Sequence, residues 1–438
     1  MKNGSMCVSG ARVAFSLLSG VLKRHLAIRG VASSAKILGV QTEGEKRLLK
    51  VTFEDGTESL YSTAWLRDNA PEPTTMELTN VCRSRKMLLA DLDPNVRPVE
   101  TSVVKDGDAV AIGWPGMDEA VHYSSEWLRR RNLNDPEVRK TRKQYYLPMA
   151  RYCGAKEMEE QLKAEADWER MFDPSQELYL KEQLERLFQF GILRCVGVPK
   201  QEGQVHRFGK FVGYMQFSNY GDCFQVRSKP TVSNLSYTSG TVGLHTDLPM
   251  LANAPEVQML HFIRQAGKGG DNQFVDGFQV VEQLKKQEPK MYQMLSTVPL
   301  EYIDHGKDDD FEFQLVSSRP LINLDKSGRP ESVFYSNHLR SWYFDLPPRQ
   351  IADMYDAITT FHNYCLKPEN LAEFRFSAGE MVIFINNRIL HGRSAFQVSE
   401  DNVVDRHLEG AYVTFDVVKS KIRVLQSKLF PETAPVSI

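Results

Sequence analysis

The chain has 438 residues, 42% of them hydrophobic and 25% charged, with a formal net charge of −2. That is the composition of an ordinary globular protein, long enough for one large domain and a smaller one. The near-neutral balance gives no electrostatic reason for nucleic acid as the main partner. No apolar run reaches the ~18 residues of a membrane-spanning helix, and the six scattered cysteines form no Cys-x-x-Cys pair and read as reduced, intracellular thiols.

Residues 1–42 hold no Asp or Glu but carry Lys2, Arg12, Lys23, Arg24, Arg29 and Lys36 among serines and short apolar runs. Segment 13–25 can form an amphipathic helix with a basic end. This is the composition of a mitochondrial transit peptide, assigned to residues 1–36, with a cytoplasmic location as the alternative. Apolar–polar alternation then predicts short strands near 48–53, 59–61, 110–114 and 120–123, a small β-rich domain over 37–130. Residues 131–170, rich in Arg, Lys and Glu, read as a linker.

The remaining domain, 171–438, opens with a predicted helix at 175–191 and the apolar run 192–198. Helices are predicted at 278–296 and 348–366; the second places Ile351, Met354, Tyr355, Ile358 and Phe361 at helical spacing. Strand-like runs recur at 257–264, 274–275, 331–335, 380–385 and 410–416. Many short strands with a few covering helices predict a mainly β fold, a jelly roll with flanking helices, and not a βαβ fold.

The chemistry centres on Gly243-Leu-His245-Thr-Asp247-Leu-Pro249. Side chains two apart on an extended strand share a face, so His245 and Asp247 can converge on one metal. Ile389-Leu-His391-Gly-Arg393 can supply a third ligand. Two His and one carboxylate on one face form the facial triad of non-haem iron(II) oxygenases, with open positions for a co-substrate and dioxygen. The competing reading of His245 and Asp247 is a hydrogen-bonded pair at a strand end. Fifteen residues after His391 stands Arg406, whose fork suits a dicarboxylate; the bland reading is a surface ion pair.

The order His-x-Asp, His-Gly-Arg and a downstream Arg resembles the 2-oxoglutarate-dependent oxygenases of the taurine dioxygenase-like superfamily. Four further stretches narrow the resemblance to its γ-butyrobetaine and trimethyllysine dioxygenase family. They are Trp65-Leu-Arg-Asp-Asn69, Gly269-Gly-Asp-Asn-Gln-Phe-Val-Asp276-Gly-Phe278, Arg388-Ile-Leu-His-Gly-Arg393 and Arg406-His-Leu-Glu-Gly-Ala-Tyr412. The resemblance runs from about residue 40 to 425. It implies a double-stranded β-helix catalytic domain behind an N-terminal β domain. It implies Fe(2+) held by His245, Asp247 and His391, 2-oxoglutarate anchored by Arg406 with Asn272 nearby, ascorbate as reductant of the iron, and a homodimer.

The substrates of this family carry a trimethylammonium group. Lacking N–H donors, that group is recognised by aromatic ring faces. Tyr220, Phe224, Tyr237 and Tyr412 match the family's cage positions, Phe224 standing where Trp is frequent. By residue type alone, with 16 Tyr and 23 Phe in the chain, all four could be core aromatics. Asn234 and Asn337 match positions that hold a substrate carboxylate, to which an amide N–H₂ can donate; a turn-forming Asn is the competing reading of Asn234. Asn234 favours γ-butyrobetaine, hydroxylated to L-carnitine. The acid-free N-terminus favours trimethyllysine, and a catalytically silent binding module is the third alternative.

Two departures from the family pattern carry weight. The structural zinc site of the family's N-terminal domain uses three Cys and a His. Here the thiol positions read Ala70, Glu72 and Thr75, and the imidazole corresponds to His122. Zinc needs four such ligands, so its absence is expected. Near the iron site, Leu248 replaces a frequent Tyr and Ile385 a common acidic residue.

Overall fold

The computed structural model describes residues 35–79, 82–227, 240–266, 268–308, 311–396 and 406–431. They divide into two compact units, one ending at Tyr146 and taking in the stretch from Gln426, the other Leu147–Leu425. The basic N-terminal segment expected as a transit peptide lies, up to residue 34, outside the described residues.

The N-terminal unit is β-rich. Strands β1 (Ile37–Glu43), β2 (Leu48–Phe53) and β3 (Glu58–Ser62) form one antiparallel sheet, and β4 (Met76–Leu78) pairs with β5 (Arg83–Arg85). A third sheet joins β6 (Glu100–Val104), β7 (Ala109–Gly113) and β8 (Val121–Ser124). The alternation in β2 buries Leu49, Val51 and Phe53 completely against Leu66, Val110, Ile112 and Trp114. Ala70 and Thr75 are themselves wholly buried, and Glu72 accepts hydrogen bonds from Thr74 and Thr75. Packing and a local turn thus occupy positions 70, 72 and 75, while His122 points outward from β8.

The stretch expected as a linker is ordered structure. Helix Pro136–Lys143 belongs to the N-terminal unit. Helix Ala155–Lys163 and β9 (Glu165–Asp167) belong to the second unit, with Met158, Leu162, Ala166 and Trp168 fully buried. The charges that suggested a linker are the solvated faces of short amphipathic helices.

The second unit is a double-stranded β-helix. After β9 come β10 (Ile192–Val196), β11 (Phe224–Arg227), β12 (Val242–His245), β13 (Val257–Arg264) and β14 (Asn272–Asp276). Then follow β15 (Pro299–Asp308), β16 (Phe311–Pro320), β17 (Ile322–Leu324) and β18 (Pro330–Val333). The last four are β19 (Ala372–Phe374), β20 (Glu380–Ile385), β21 (Ile389–Arg393) and β22 (His407–Val413). The larger sheet has the order β11-β22-β13-β20-β10-β9 and the smaller β12-β21-β14-β19. Their inner faces share one core, in which Phe262, Val382, Phe384 and Leu408 of the larger sheet meet Phe274 and Ile389 of the smaller. Helices Glu177–Phe190, Gln204–Val212 and Phe415–Leu429 cover the outer face of the larger sheet. Helices Gly277–Gln287, Pro289–Thr297 and Pro348–Cys365 pack on the smaller one.

The expected helix over 278–296 is two helices. Pro289 lacks the N–H that would continue the first, and it sits at the opening position of the second.

Candidate active site

Strand register brings the ligand candidates together. His245 ends β12 and lies directly opposite His391 of β21. Their ring centroids are 4.2 Å apart. Asp247 follows β12, with its Oδ1 3.1 Å from His245 Nε2 and 3.7 Å from His391 Nε2. One ligand atom from each residue lies within 4.8 Å of the others. The His245 Nδ1 faces the Gly243 carbonyl at 2.8 Å. An N–H on Nδ1 donates to that carbonyl, which leaves Nε2, facing Asp247, as the nitrogen whose proton a metal would replace.

The turn carrying Asp247 is clamped. Its backbone N–H donates to Asn386 Oδ1 at 2.8 Å, and Asn386 Nδ2 donates back to the Asp247 carbonyl and to Pro255. Thr246 exchanges hydrogen bonds with the backbone of Tyr335. The next residue, Leu248, holds φ at 54°, a conformation costly for a branched side chain. Tyr412 donates its hydroxyl to Asp247 Oδ2 at 2.7 Å. Burial alone would raise the Asp247 carboxyl, but the hydrogen bond from His245, the charge of His391 and the Tyr412 hydroxyl hold it well below the usual range. Burial also lowers His245, yet Asp247 outweighs it and the net shift is upward. Burial and the neighbouring His245 hold His391 down to about 3. An anionic carboxylate beside two imidazoles, one of them kept neutral, is a donor set that fits iron(II).

A second constellation continues along β21. Arg393 stands two residues beyond His391, on the same face, opposite Asn272 of β14. Arg393 and Arg406 both lie over the Phe396 ring. Arg406 is 5% exposed; burial and then the Arg393 charge push it down to about 9. Arg406 Nε and Asn272 Nδ2 are buried with no hydrogen-bond partner among the described residues. Two buried guanidiniums and orphaned donors form a cradle for an anion, and a dicarboxylate meets both needs.

Beside the triad opens a pocket lined by Tyr220, Phe224, Val226, His245, Asp247, Leu248, Asp304, His338, Leu339 and Tyr412. Three of the four expected cage residues are in it, with Phe224–Tyr412 centroids at 5.3 Å and Tyr220–Phe224 at 6.4 Å. Phe224 lies over Gly410, its cross-strand partner. Tyr237 and Asn234 fall outside the described residues. Asn337 is exposed on a turn, its Oδ1 accepting from Arg340, and is not among the lining residues. Its neighbour His338 is, with its ring 5.0 Å from that of His245. Sequence reading missed His338, Asp304, Asn386 and Arg393. Arg393 ends β21 and carried a signal in the Arg388–Arg393 motif, whereas Asn386 stands two residues before that motif. Asp304 and His338 come from elements with no local signature.

Residues 155–412 match the family model "Taurine catabolism dioxygenase TauD, TfdA family", and residues 40–129 match "Gamma-butyrobetaine hydroxylase-like, N-terminal". The chain belongs to the TauD/TfdA dioxygenase family. Within it, a protein of Pongo abelii named gamma-butyrobetaine dioxygenase is 34% identical over 386 residues, 87% of this chain and 95% of that protein. The protein of that name from Homo sapiens is 33% identical over 385 residues, again 87% and 95%. A mitochondrial trimethyllysine dioxygenase of Mus musculus is 23% identical over 373 residues, 84% of each chain. As a TauD/TfdA family member the chain is an iron- and 2-oxoglutarate-dependent dioxygenase, and no helix among the described residues is long and apolar enough to cross a membrane.

Proposed function

We propose that this dioxygenase hydroxylates γ-butyrobetaine to L-carnitine, with iron held by His245, Asp247 and His391 and 2-oxoglutarate by Arg406 and Asn272. One observation carries the reading: the aromatic faces of Tyr220, Phe224 and Tyr412 share a pocket with His245 and Asp247 of the triad. With iron(II), 2-oxoglutarate and dioxygen bound, the centre supplies the oxidant that converts C–H to C–OH, releasing succinate and carbon dioxide.

The side chains do the rest. Arg406, buried and short of partners, fixes the distal carboxylate of the co-substrate in two-point contact. Tyr412 has two tasks, since its hydroxyl holds Asp247 while its ring faces Phe224. The cage binds the trimethylammonium by ring faces, and Asp304, half-buried in the same pocket, adds an opposite charge. Burial raises the Asp304 carboxyl, and a cation alongside would favour its anionic form.

The same carboxylate supports a second reading, trimethyllysine, whose α-ammonium would pair with it. The basic, acid-free N-terminus fits that reading too. A mitochondrial location, ascorbate as reductant, a homodimer and an N-terminal unit that needs no zinc complete the proposal. The family resemblance supports the reductant and the dimer. The buried Ala70 and Thr75 support the last point.

The deciding assay supplies iron(II), 2-oxoglutarate and each trimethylammonium substrate in turn, and measures succinate and hydroxylated product. Coupled turnover with γ-butyrobetaine is expected, and His245→Ala should abolish it. Turnover with trimethyllysine alone would overturn the substrate, and no turnover with either would overturn the reaction.

A further inference from the structure

We infer that His206, Cys223 and Glu409 form a second metal site, for zinc with a water as its fourth ligand, on the face of the larger sheet opposite the iron centre. One ligand atom from each lies within 4.8 Å of the others. Three separate elements supply them: helix Gln204–Val212, the residue before β11, and β22.

Strand alternation separates this site from the first. On β22, Leu408 faces the inner core and Tyr412 the substrate pocket, whereas Ala411 and Val413 join the outer, helix-covered core. Glu409 shares the outer face with Ala411. Cys223 packs against that outer core, while Phe224, the next residue, lines the pocket. The two sites stand back to back.

The donors are held ready. Glu409 is 2% exposed, and both its oxygens accept from the Gly203 N–H at 2.9 Å, with Gln225 Nε2 at 3.2 Å from Oε1. Each oxygen keeps lone pairs for a cation. His206 Nε2 meets Asp222 Oδ2 at 2.8 Å, the carboxylate–imidazole pairing that orients metal-ligating histidines. Nearby cations are already engaged in part: Arg227 pairs with Glu202, and Lys210 acts on Asp222 from a distance. A thiol, an imidazole and a carboxylate brought this close suit a divalent cation that takes S, N and O ligands together. Zinc does so, and a hard cation such as magnesium does not.

The consequence for the enzyme is mechanical. The metal would tie helix Gln204–Val212 to β11 and β22. Those strands carry Phe224 beside Cys223, and Tyr412 three residues beyond Glu409. Zinc would thereby fix the aromatic pocket without touching the triad.

The test counts metal on the full-length chain stripped of iron, and needs no turnover. Zinc is expected to bind at two equivalents per chain. Cobalt(II) should give a near-ultraviolet thiolate charge-transfer band. His245→Ala should lose one equivalent and keep the band. Cys223→Ser should lose the other equivalent together with the band. Should Cys223→Ser fail to fold, His206→Gln, at a partly exposed position, is expected to weaken zinc at this site at least tenfold. A band that survives Cys223→Ser, a single equivalent without a thiolate band, or unchanged zinc affinity in His206→Gln would each overturn the inference.

Discussion

Gly410 matters because of what lies on it. A Cβ there would stand 2.2 Å from Phe224 Cζ, far inside contact distance. Gly410→Ala must therefore lift the Phe224 ring out of the pocket. Losing one cation–π face is worth about 1–2 kcal/mol. The expected result is a KM for the trimethylammonium substrate raised about tenfold, with the KM for 2-oxoglutarate unchanged; an unchanged substrate KM would place Phe224 outside recognition. Arg406 poses the opposite problem. A buried guanidinium next to Arg393 costs free energy until an anion arrives. A dicarboxylate should raise the melting temperature of the wild type. Arg406→Met should abolish that shift and raise the KM for 2-oxoglutarate by about a hundredfold or more. Without ligand, the variant should melt no lower than the wild type, because it no longer buries an unpaired charge. Lower ligand-free stability would show that Arg406 has a structural partner.

At the scale of the element, β13 carries a titration that the catalytic chemistry does not use. His261 is completely buried, and neither ring nitrogen has a hydrogen-bond partner among the described residues. Burial, then the charge of His407, holds it down to about 4. The folded state thus binds its proton less readily than the unfolded chain, whose His titrates near 6.5. Stability from the neutral ring is complete above that value and is lost as pH falls from about 6.5 through 4. Over that window the loss is about 3 kcal/mol. His261→Leu should flatten the fall in unfolding free energy across this range by that amount, measured by urea titration at each pH. An equally steep fall would shift the origin to His391, which is also held down. Such a residue was invisible in the sequence, where the run 257–264 read only as a strand. What was legible had a local cause. The His245-Thr-Asp247 spacing put the two side chains near each other, although Asp247 lies in the turn after β12 and not on the strand; alternation marked β2, and apolar runs marked β13 and β20. Illegible features depend on distant partners. The register that sets His245 opposite His391 spans 146 residues, and β9 is only three residues long and pairs in parallel with β10. The hairpin β15–β16, which delivers Asp304, has no run of apolar residues to announce it.

For the molecule as a whole, each unit has its own core, and in the catalytic unit one buried ion pair joins the layers that support the iron site. Arg388 precedes β21 and is 1% exposed, and Asp276 ends β14 at 1%. Arg388 donates from Nη2 to Asp276 Oδ2 at 2.7 Å and from Nε to Oδ1 at 3.2 Å. Its remaining donors reach the carbonyls of Gln189 and Arg151. Asp276 in turn caps helix Gly277–Gln287 through the Phe278 N–H and accepts from the Cys153 N–H. Every part of this fork has a partner, which is the condition under which a buried pair is tolerated. The motif that pointed to the family by way of Arg388 and Asp276 therefore marks a scaffold and not a catalytic pair. Arg388→Met leaves Asp276 charged and alone in the interior, and should cost about 3–5 kcal/mol of unfolding free energy. Adding Asp276→Asn removes the stranded charge, so the double variant should be more stable than Arg388→Met alone, a coupling that a double-mutant cycle measures. Arg388→Lys should recover only part of the loss, because one ammonium cannot span the carboxylate and two carbonyls. If the single and double variants were equally unstable, Arg388 would act through its backbone carbonyls and its ring contacts with Tyr152 and Phe278, and the charge of Asp276 would contribute nothing to holding the layers together.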